Sequence, residues 1–245
     1  LKALRLGRLP ACMRLCNALA AASSCLLPLA QGSSPPILEK SARVPADDAC
    51  VSLPADGCLG GVPNRSQLRG PAAAYICGAI RRAASSVLVF GIGFDSPMWL
   101  RNAGGEVVFL EHDRTWIDIQ PKGVRRRTYA VQYTTRLSNP LSPRQPVPNA
   151  SHFAHFMASL PLRVLSRKWD VVLVDGPGGF VRGTPGRSQS LFAARCLVRS
   201  GGIVFLDDFE RYAERRFVAE FFPDFRQQVF SNGRIGQTVA LCSGS

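Results

Sequence analysis

The stretch Ser86-Val-Leu-Val-Phe-Gly-Ile-Gly-Phe-Asp-Ser96 decides how this chain folds. A short apolar, β-branched run ends in Gly91-Ile92-Gly93. Asp95 follows, and then Ser96-Pro97 opens a helix that Gly104-Gly105 closes, with Ser96 as N-cap and Pro97 at the first helical position. A second apolar run, Glu106 to Leu110, ends on Glu111. Strand, glycine turn, helix, strand, acid is the order in which an open α/β sheet holds an adenosine. The glycines let backbone approach the ligand, and the acid at the tip of the second strand accepts hydrogen bonds from the two ribose hydroxyls. Gly91, Gly93, Asp95, Ser96 and Glu111 are therefore the expected cofactor-binding residues.

Downstream, the pattern keeps alternating. A helix over 72–82 precedes the first strand, and Arg127 to Thr134 reads as a third, more polar strand. Residues 136–151 carry Pro140, Pro143, Pro146 and Pro148 and read as a loop, either disordered or a substrate lid. A short helix is expected over 152–160. Asp170 to Val174 is a fourth strand, ending at Asp175-Gly176-Pro177, and a helix over 188–199 is stopped by Gly201-Gly202. Ile203 to Leu206 is a fifth strand, ending at Asp207-Asp208. An amphipathic helix over 209–222 is followed by two strands, 225–230 and 238–242, around Asn232-Gly233. The expected fold is α/β: a doubly wound, mostly parallel seven-stranded sheet with a C-terminal antiparallel hairpin. That hairpin is characteristic of S-adenosylmethionine-dependent methyltransferases. Gly91-x-Gly93-x-x-Ser96 agrees, because it lacks the third glycine of the dinucleotide motif.

At 245 residues, with 46% apolar content, the chain has room for one catalytic domain and an N-terminal extension. The domain is expected over 71–245, a Pro/Gly/Ser-rich stem over 31–70 and a targeting segment over 1–30. Lys2, Arg5, Arg8 and Arg14 precede the mostly apolar run 15–30, as in a signal peptide or signal anchor; a plastid transit peptide has a similar composition. The sequons at Asn64 and Asn149 fit secretory entry. The formal net charge of +13 suits an acidic partner, whether glycan, nucleic acid or membrane surface, although an arginine-rich genome would also produce it. No recognisable RNA-binding module is present. Of eight cysteines, Cys77, Cys196 and Cys242 fall on apolar faces and are expected to pack as small hydrophobes, while Cys50 and Cys58 are placed to pair in an oxidising compartment. His112, His152 and His155 form no metal motif, and Trp99, Trp116 and Trp169 are expected in packing roles.

Methyl transfer from a sulfonium asks the protein chiefly for orientation and for removal of the acceptor's proton. In an open α/β sheet the groups for that work sit at the carboxyl ends of strands. Asp175, Asp207 and Asp208 meet this condition and are the candidate catalytic residues. Two uses are open to them. They are either ligands of a divalent cation that polarises a hydroxyl, or one general base with neighbours that orient it. Helix capping is the structural alternative for Asp207 and Asp208. Gly186-Arg187 lies at the same rim, where an arginine fork suits a substrate carboxylate. The basic run Lys122, Arg125, Arg126, Arg127 is either a track for an acidic polymer or a solvated loop.

Taken together, the strings at 88–96, 104–111, 131–135 (Val-Gln-Tyr-Thr-Thr), 169–177 (Trp-Asp-Val-Val-Leu-Val-Asp-Gly-Pro) and 185–187 (Pro-Gly-Arg) resemble a plant cell-wall family. That family includes glucuronoxylan 4-O-methyltransferases, arabinogalactan methyltransferases and irregular-xylem proteins, and the likeness extends over roughly 70–242. The resemblance implies a Golgi enzyme, with the N-terminal segment as a membrane anchor. It would transfer a methyl group from S-adenosylmethionine to the 4-hydroxyl of glucuronic acid on an acidic polysaccharide. Asp175 and Arg187 would then face the uronic acid. Phe94 stands where the family often has His, and the Pro-rich loop 136–151 replaces the usual cysteine-containing segment. Two other functions fit the same fold: a non-catalytic xylan-assembly factor, and a methyltransferase acting on RNA or a small metabolite.

Overall fold

The computed structural model describes residues 57–82, 85–142, 144–232 and 236–244. The expected targeting segment, most of the stem, Cys50 and the tip of the C-terminal hairpin lie outside them. Among the described residues no helix is long and apolar enough to cross a membrane.

Seven strands form one sheet: β1 (Val87–Phe90), β2 (Val107–Glu111), β3 (Thr128–Ala130), β4 (Trp169–Val174), β5 (Val198–Leu206), β6 (Arg226–Ser231) and β7 (Gln237–Cys242). Their order is β3-β2-β1-β4-β5-β7-β6. Strands β1 to β5 pair in parallel, and β7 runs antiparallel to both β5 and β6. This is the expected doubly wound sheet with its reversed C-terminal strand, the arrangement of S-adenosylmethionine-dependent methyltransferases.

The period-two side-chain alternation of the strands feeds two cores. Leu88, Phe90, Val172 and Val174 enter one, and Val87, Val89, Val171 and Leu173 the other. The second core is covered by α1 (Gly70–Ile80), α2 (Ser96–Asn102), α3 (Arg114–Ile119) and α4 (Lys122–Arg125). The first is covered by α5 (Ala150–Ser159), α6 (Leu162–Leu165), α7 (Ser188–Leu197) and α8 (Tyr212–Phe221). Burial on both faces explains why the central strands read as continuous apolar runs. The short helices α3, α4 and α6 hold one buried residue each, Ile117, Val124 and Val164, and left no periodic signal in the sequence.

Several expectations are revised. The third strand is three residues long rather than eight, because Thr134 and Thr135 leave the sheet and donate their backbone N–H groups to Gln189 Oε1 at 2.9 and 3.2 Å. Ser96 is the first residue of α2, and Asp95 is its N-cap. Helix α7 ends at Leu197, and β5 already runs through Gly201-Gly202. The 136–151 segment is not a free flap. Leu137 is buried and exchanges backbone hydrogen bonds with Gly183 and Thr184.

Residues 57–69, expected as the end of a stem, lack helix and strand yet belong to the packed domain. Leu68 is buried, Leu59 N donates to Asn102 Oδ1 at 2.8 Å, and Cys58 is disulfide-bonded to Cys77. That bond corrects the reading of Cys77 as a small hydrophobe and gives Cys58 a partner other than Cys50. Cys196 and Cys242 are likewise half-cystines rather than packed thiols.

Candidate active site

Strand register creates the site. Phe90 pairs with Leu110 on one side and Val174 on the other, and Val174 pairs with Leu206. The residues one step further, Gly91, Glu111, Asp175 and Asp207, therefore form a level row across the carboxyl ends of four strands. Glu111 and Asp175 stand two strand spacings apart, roughly 10 Å.

Gly91 is where β1 leaves the sheet, with φ at +95°. A Cβ there would lie 2.8 Å from Gly176 N, and one on Gly176 would lie 2.6 Å from Gly91 Cα. The ends of β1 and β4 thus touch backbone to backbone, which sets the glycine turn against Asp175. Ser96 Oγ accepts from Gly93 N at 2.9 Å and so closes the turn from within. Gln120 is buried and donates to Gly93 O at 3.1 Å; no motif in the sequence pointed to it.

Glu111 is buried and already engaged. Its Oε2 accepts from Ile92 N at 3.0 Å, and its Oε1 accepts from the backbone N–H groups of His112 and Asp113 at 2.6 and 2.7 Å. His112 Nδ1 lies 2.8 Å from the same Oε1, and this hydrogen bond raises the imidazole pKa. Oε2 has one partner, so it keeps a lone pair for a ligand hydroxyl beside the glycine turn.

Asp95 is buried and accepts from Ser66 Oγ at 3.1 Å. Burial, with the Asp207 charge adding to it, raises its pKa. Asp175, at the end of β4, is pushed well above the usual carboxylate range by desolvation and then by the Asp207 charge, with Arg187 opposing. Asp207 is also raised, chiefly by burial; its Oδ1 accepts from Thr238 Oγ1 at 2.7 Å and Asn232 Nδ2 at 3.1 Å. Three carboxyl groups, Asp95, Asp175 and Asp207, thus share this rim, and their mutual repulsion and burial make each reluctant to give up its proton.

Arg187 is placed differently from the expected open fork. It is 2% exposed, and its guanidinium donates to protein acceptors: Nε to Pro177 O at 3.0 Å, Nη1 to Asp207 O at 2.5 Å, and Nη2 to Asp175 O at 3.0 Å and Asp208 Oδ2 at 2.6 Å. Asp175 Oδ1 lies 3.4 Å from Nη2. Arg187 thus ties the ends of β4 and β5 together. Gly186 is a packing position, since a Cβ would meet Leu137 Cδ2 at 2.6 Å. Asp208 adopts φ +58°, unusual for a residue other than glycine, and in that conformation its Oδ2 meets both Arg187 and Arg211. It gives α8 no side-chain cap.

Asp175, Asp207 and Asp208 each offer an oxygen, and these atoms lie within 4.8 Å of one another. Donors are already seated on all three: Thr238 and Asn232 on Asp207, the two arginines on Asp208, and Arg187 Nη2 on Asp175 Oδ1 at 3.4 Å. A divalent cation would have to displace them, so the set fits a cation poorly and a proton well. Asp175 Oδ2 accepts no hydrogen bond from the described residues.

Sequence reading missed the scaffold behind the site. Gln189, fully buried, donates to Thr134 Oγ1 and His152 O, both at 2.9 Å. Ser190 Oγ lies 2.9 Å from Tyr133 OH and donates to Gly176 O at 2.9 Å. Tyr133, Thr134 and Thr135 of the Val-Gln-Tyr-Thr-Thr string belong to this network, which links the segment after β3, α7 and the Asp175-Gly176 turn, while Val131 packs in the core.

Known proteins are similar to this chain in sequence. Arabinogalactan O-methyltransferase 2 of Arabidopsis thaliana is 34% identical over 175 residues, covering 63% of this chain and 60% of that protein. Glucuronoxylan 4-O-methyltransferase 2 of the same plant is 34% identical over 158 residues, covering 58% and 54%. Protein IRREGULAR XYLEM 15, also from Arabidopsis, is 33% identical over 172 residues, covering 60% and 52%. The chain thus spans between about half and three fifths of the length of these relatives. Among solved structures, a precorrin-6y C5,15-methyltransferase from Geobacter metallireducens superposes with a TM-score of 0.45 at 15% identity, covering 79% of this chain and all of that one. The family model for IRX15/IRX15L/GXM matches residues 74–237, which takes in the glycine turn, Glu111, the three aspartates and Arg187, and the chain belongs to that family.

Proposed function

We propose that this protein is an S-adenosylmethionine-dependent O-methyltransferase acting on glucuronic acid 4-hydroxyls of an acidic cell-wall glycan. The observation that carries this reading is the level row Gly91, Glu111, Asp175, Asp207, which puts an adenosine cradle and a basic carboxylate on one rim. The names of the relatives support the substrate class.

The cofactor would supply an electrophilic methyl group. On the cofactor side, Gly91 and Gly93 let backbone come close, Glu111 Oε2 accepts from a ribose hydroxyl, and the charge of Asp95 faces the cationic end. On the acceptor side, Asp175 Oδ2 takes the proton of the attacking hydroxyl. Its raised pKa makes it a stronger base than a solvated aspartate. Arg187 is a positioning residue, holding Asp175 and Asp208 without touching the sugar. Contact with the acceptor falls to the loop after β4. Phe180 is 67% exposed there, next to Arg211, and Arg182 is an exposed cation without a partner among the described residues. Among the described residues, three of the nine exposed large hydrophobics, Phe180, Val181 and Tyr212, lie in the loop after β4 or at the start of α8, a concentration that suits the apolar face of a pyranose. The Cys58–Cys77 disulfide supports an oxidising compartment, and we assign the enzyme to the secretory pathway, in the Golgi.

The test is transfer of labelled methyl from S-adenosylmethionine to glucuronoxylan. Wild type should label the polymer, with or without a chelator, and Asp175→Asn should not, while its cofactor affinity stays within about twofold. Full activity of Asp175→Asn would remove the proposed base. The relative named for irregular xylem motivates a second reading, a xylan-assembly factor without turnover. No calorimetric heat with millimolar S-adenosylmethionine would favour it.

A further inference from the structure

A second surface, away from the aspartates, carries the unused positive charge. Two neighbouring clefts flank the edge strand β3 and share Arg126. One, about 720 Å³, is lined by Glu106, Arg126, Arg127, Tyr129 and Arg163 among others; the other, about 420 Å³, by Arg114, Asp118, Lys122, Arg125 and Arg126 among others. Six cations thus line the pair against two acids. Both acids are already engaged, Glu106 by Arg163 and Arg167 and Asp118 by Arg114. Lys122, Arg125 and Arg126 are exposed and have no acidic partner among the described residues. Packing does not require them, since α4 is anchored by Val124 alone. Three like charges within five residues repel one another, so a polyanion laid across them relieves that cost.

We propose that the β3 edge is a docking groove for an acidic glycan, which engages several uronate carboxylates along the chain and holds the polymer while the aspartate rim works on one residue. The groove is three strand positions from β4, roughly 14 Å across the sheet, and it runs along β3 from the carboxyl end at Ala130 down to Glu106 at the amino-terminal end of β2, so it contacts sugars other than the reacting one. Of its aromatic neighbours only Tyr129, half-buried, lines the clefts. Single-stranded nucleic acid is bound through stacking platforms as well as charge, and a groove this poor in rings favours a glycan. The choice of occupant rests on the glycan reading above; the anion groove itself does not.

Affinity electrophoresis without methyl donor separates the two. Wild type should be retarded by de-esterified polygalacturonate and by glucuronoxylan but not by neutral arabinoxylan, and the retardation should fade as salt shortens the screening length below the charge spacing. The triple variant Lys122→Gln/Arg125→Gln/Arg126→Gln should lose at least tenfold in affinity at an unchanged melting temperature. Asp175→Asn should be retained like wild type. Undiminished retention of the triple variant overturns the groove, and tighter binding of poly(U) than of either acidic glycan overturns its occupant. Retention by wild type without methyl transfer would leave the groove standing while the catalytic reading fails.

Discussion

Arg187 Nη2 and Asp208 Oδ2 lie 2.6 Å apart, and Asp208 adopts a left-handed backbone conformation in making that contact. The pair fastens the end of β5 to the loop after β4, and Asp175 is held by the same nitrogen. Burial tends to lower the arginine's pKa, but Asp208, Asp175, Glu214 and Asp207 together raise it by more, so the guanidinium stays charged.

Replacing Arg187 should therefore unfold the rim rather than weaken sugar binding. Arg187→Ala leaves buried carboxylates uncompensated, which costs about 3–5 kcal/mol. Arg187→Lys keeps the charge but lacks the planar fork and should recover only part of that loss. Chemical denaturation checks both, and an Arg187→Ala protein of wild-type stability with only a raised KM would return Arg187 to the substrate-binding role.

Glu214 on α8 is buried, and neither carboxylate oxygen has a hydrogen-bond partner among the described residues. Desolvation raises its pKa, with Arg187 and Arg211 opposing. The folded chain then holds the Glu214 proton to higher pH than the unfolded chain does. Its contribution is most favourable below the ordinary carboxylate range and falls as pH rises through the raised value. Glu214→Gln should thus stabilise the protein at pH 8 by on the order of 1 kcal/mol and lose that advantage near pH 4. Thermal melts at the two pH values give the comparison.

For turnover the sign is the opposite. Asp175 must be ionised to accept a proton, so the rate should climb as pH rises through its elevated pKa. A rate that falls over the same interval would exclude a carboxylate base.

Glu111→Ala should weaken S-adenosylmethionine binding by about 1–3 kcal/mol, the scale of hydrogen bonds to a charged group. Because Glu111 also anchors Ile92, His112 and Asp113, a folding loss should accompany it. Calorimetry together with melting separates the two effects, and unchanged affinity would take Glu111 out of the pocket.

The two glycines of the turn should differ. Gly91→Ala meets the Gly176 backbone in a conformation that disfavours a side chain, and should cost about 2–4 kcal/mol. Gly93→Ala meets only Asp95 Oδ1, at 3.2 Å, and should fold nearly normally while binding cofactor less tightly. Equal stabilities of the two variants would contradict the backbone contact between β1 and β4.

The order of the strands and of the longer helices, the sheet class, the glycine turn and the acids at strand tips were legible in the linear chain. Each is written in residues close together in sequence: a run with a period of two ends in a turn, and in a parallel sheet the residue after a strand sits at its carboxyl end. Where Arg187 points was settled only on folding, as was the pairing of Cys58 with Cys77 and the left-handed turn of Asp208. So was the stop of the third strand at Ala130, which lets Thr134 and Thr135 reach Gln189. Those outcomes depend on partners 19 to 55 residues away, or on charges brought together at the ends of β4 and β5. No local pattern specifies which of several inward-facing acceptors a buried guanidinium will find. That choice is made when the sheet closes, water leaves, and every buried donor must be matched.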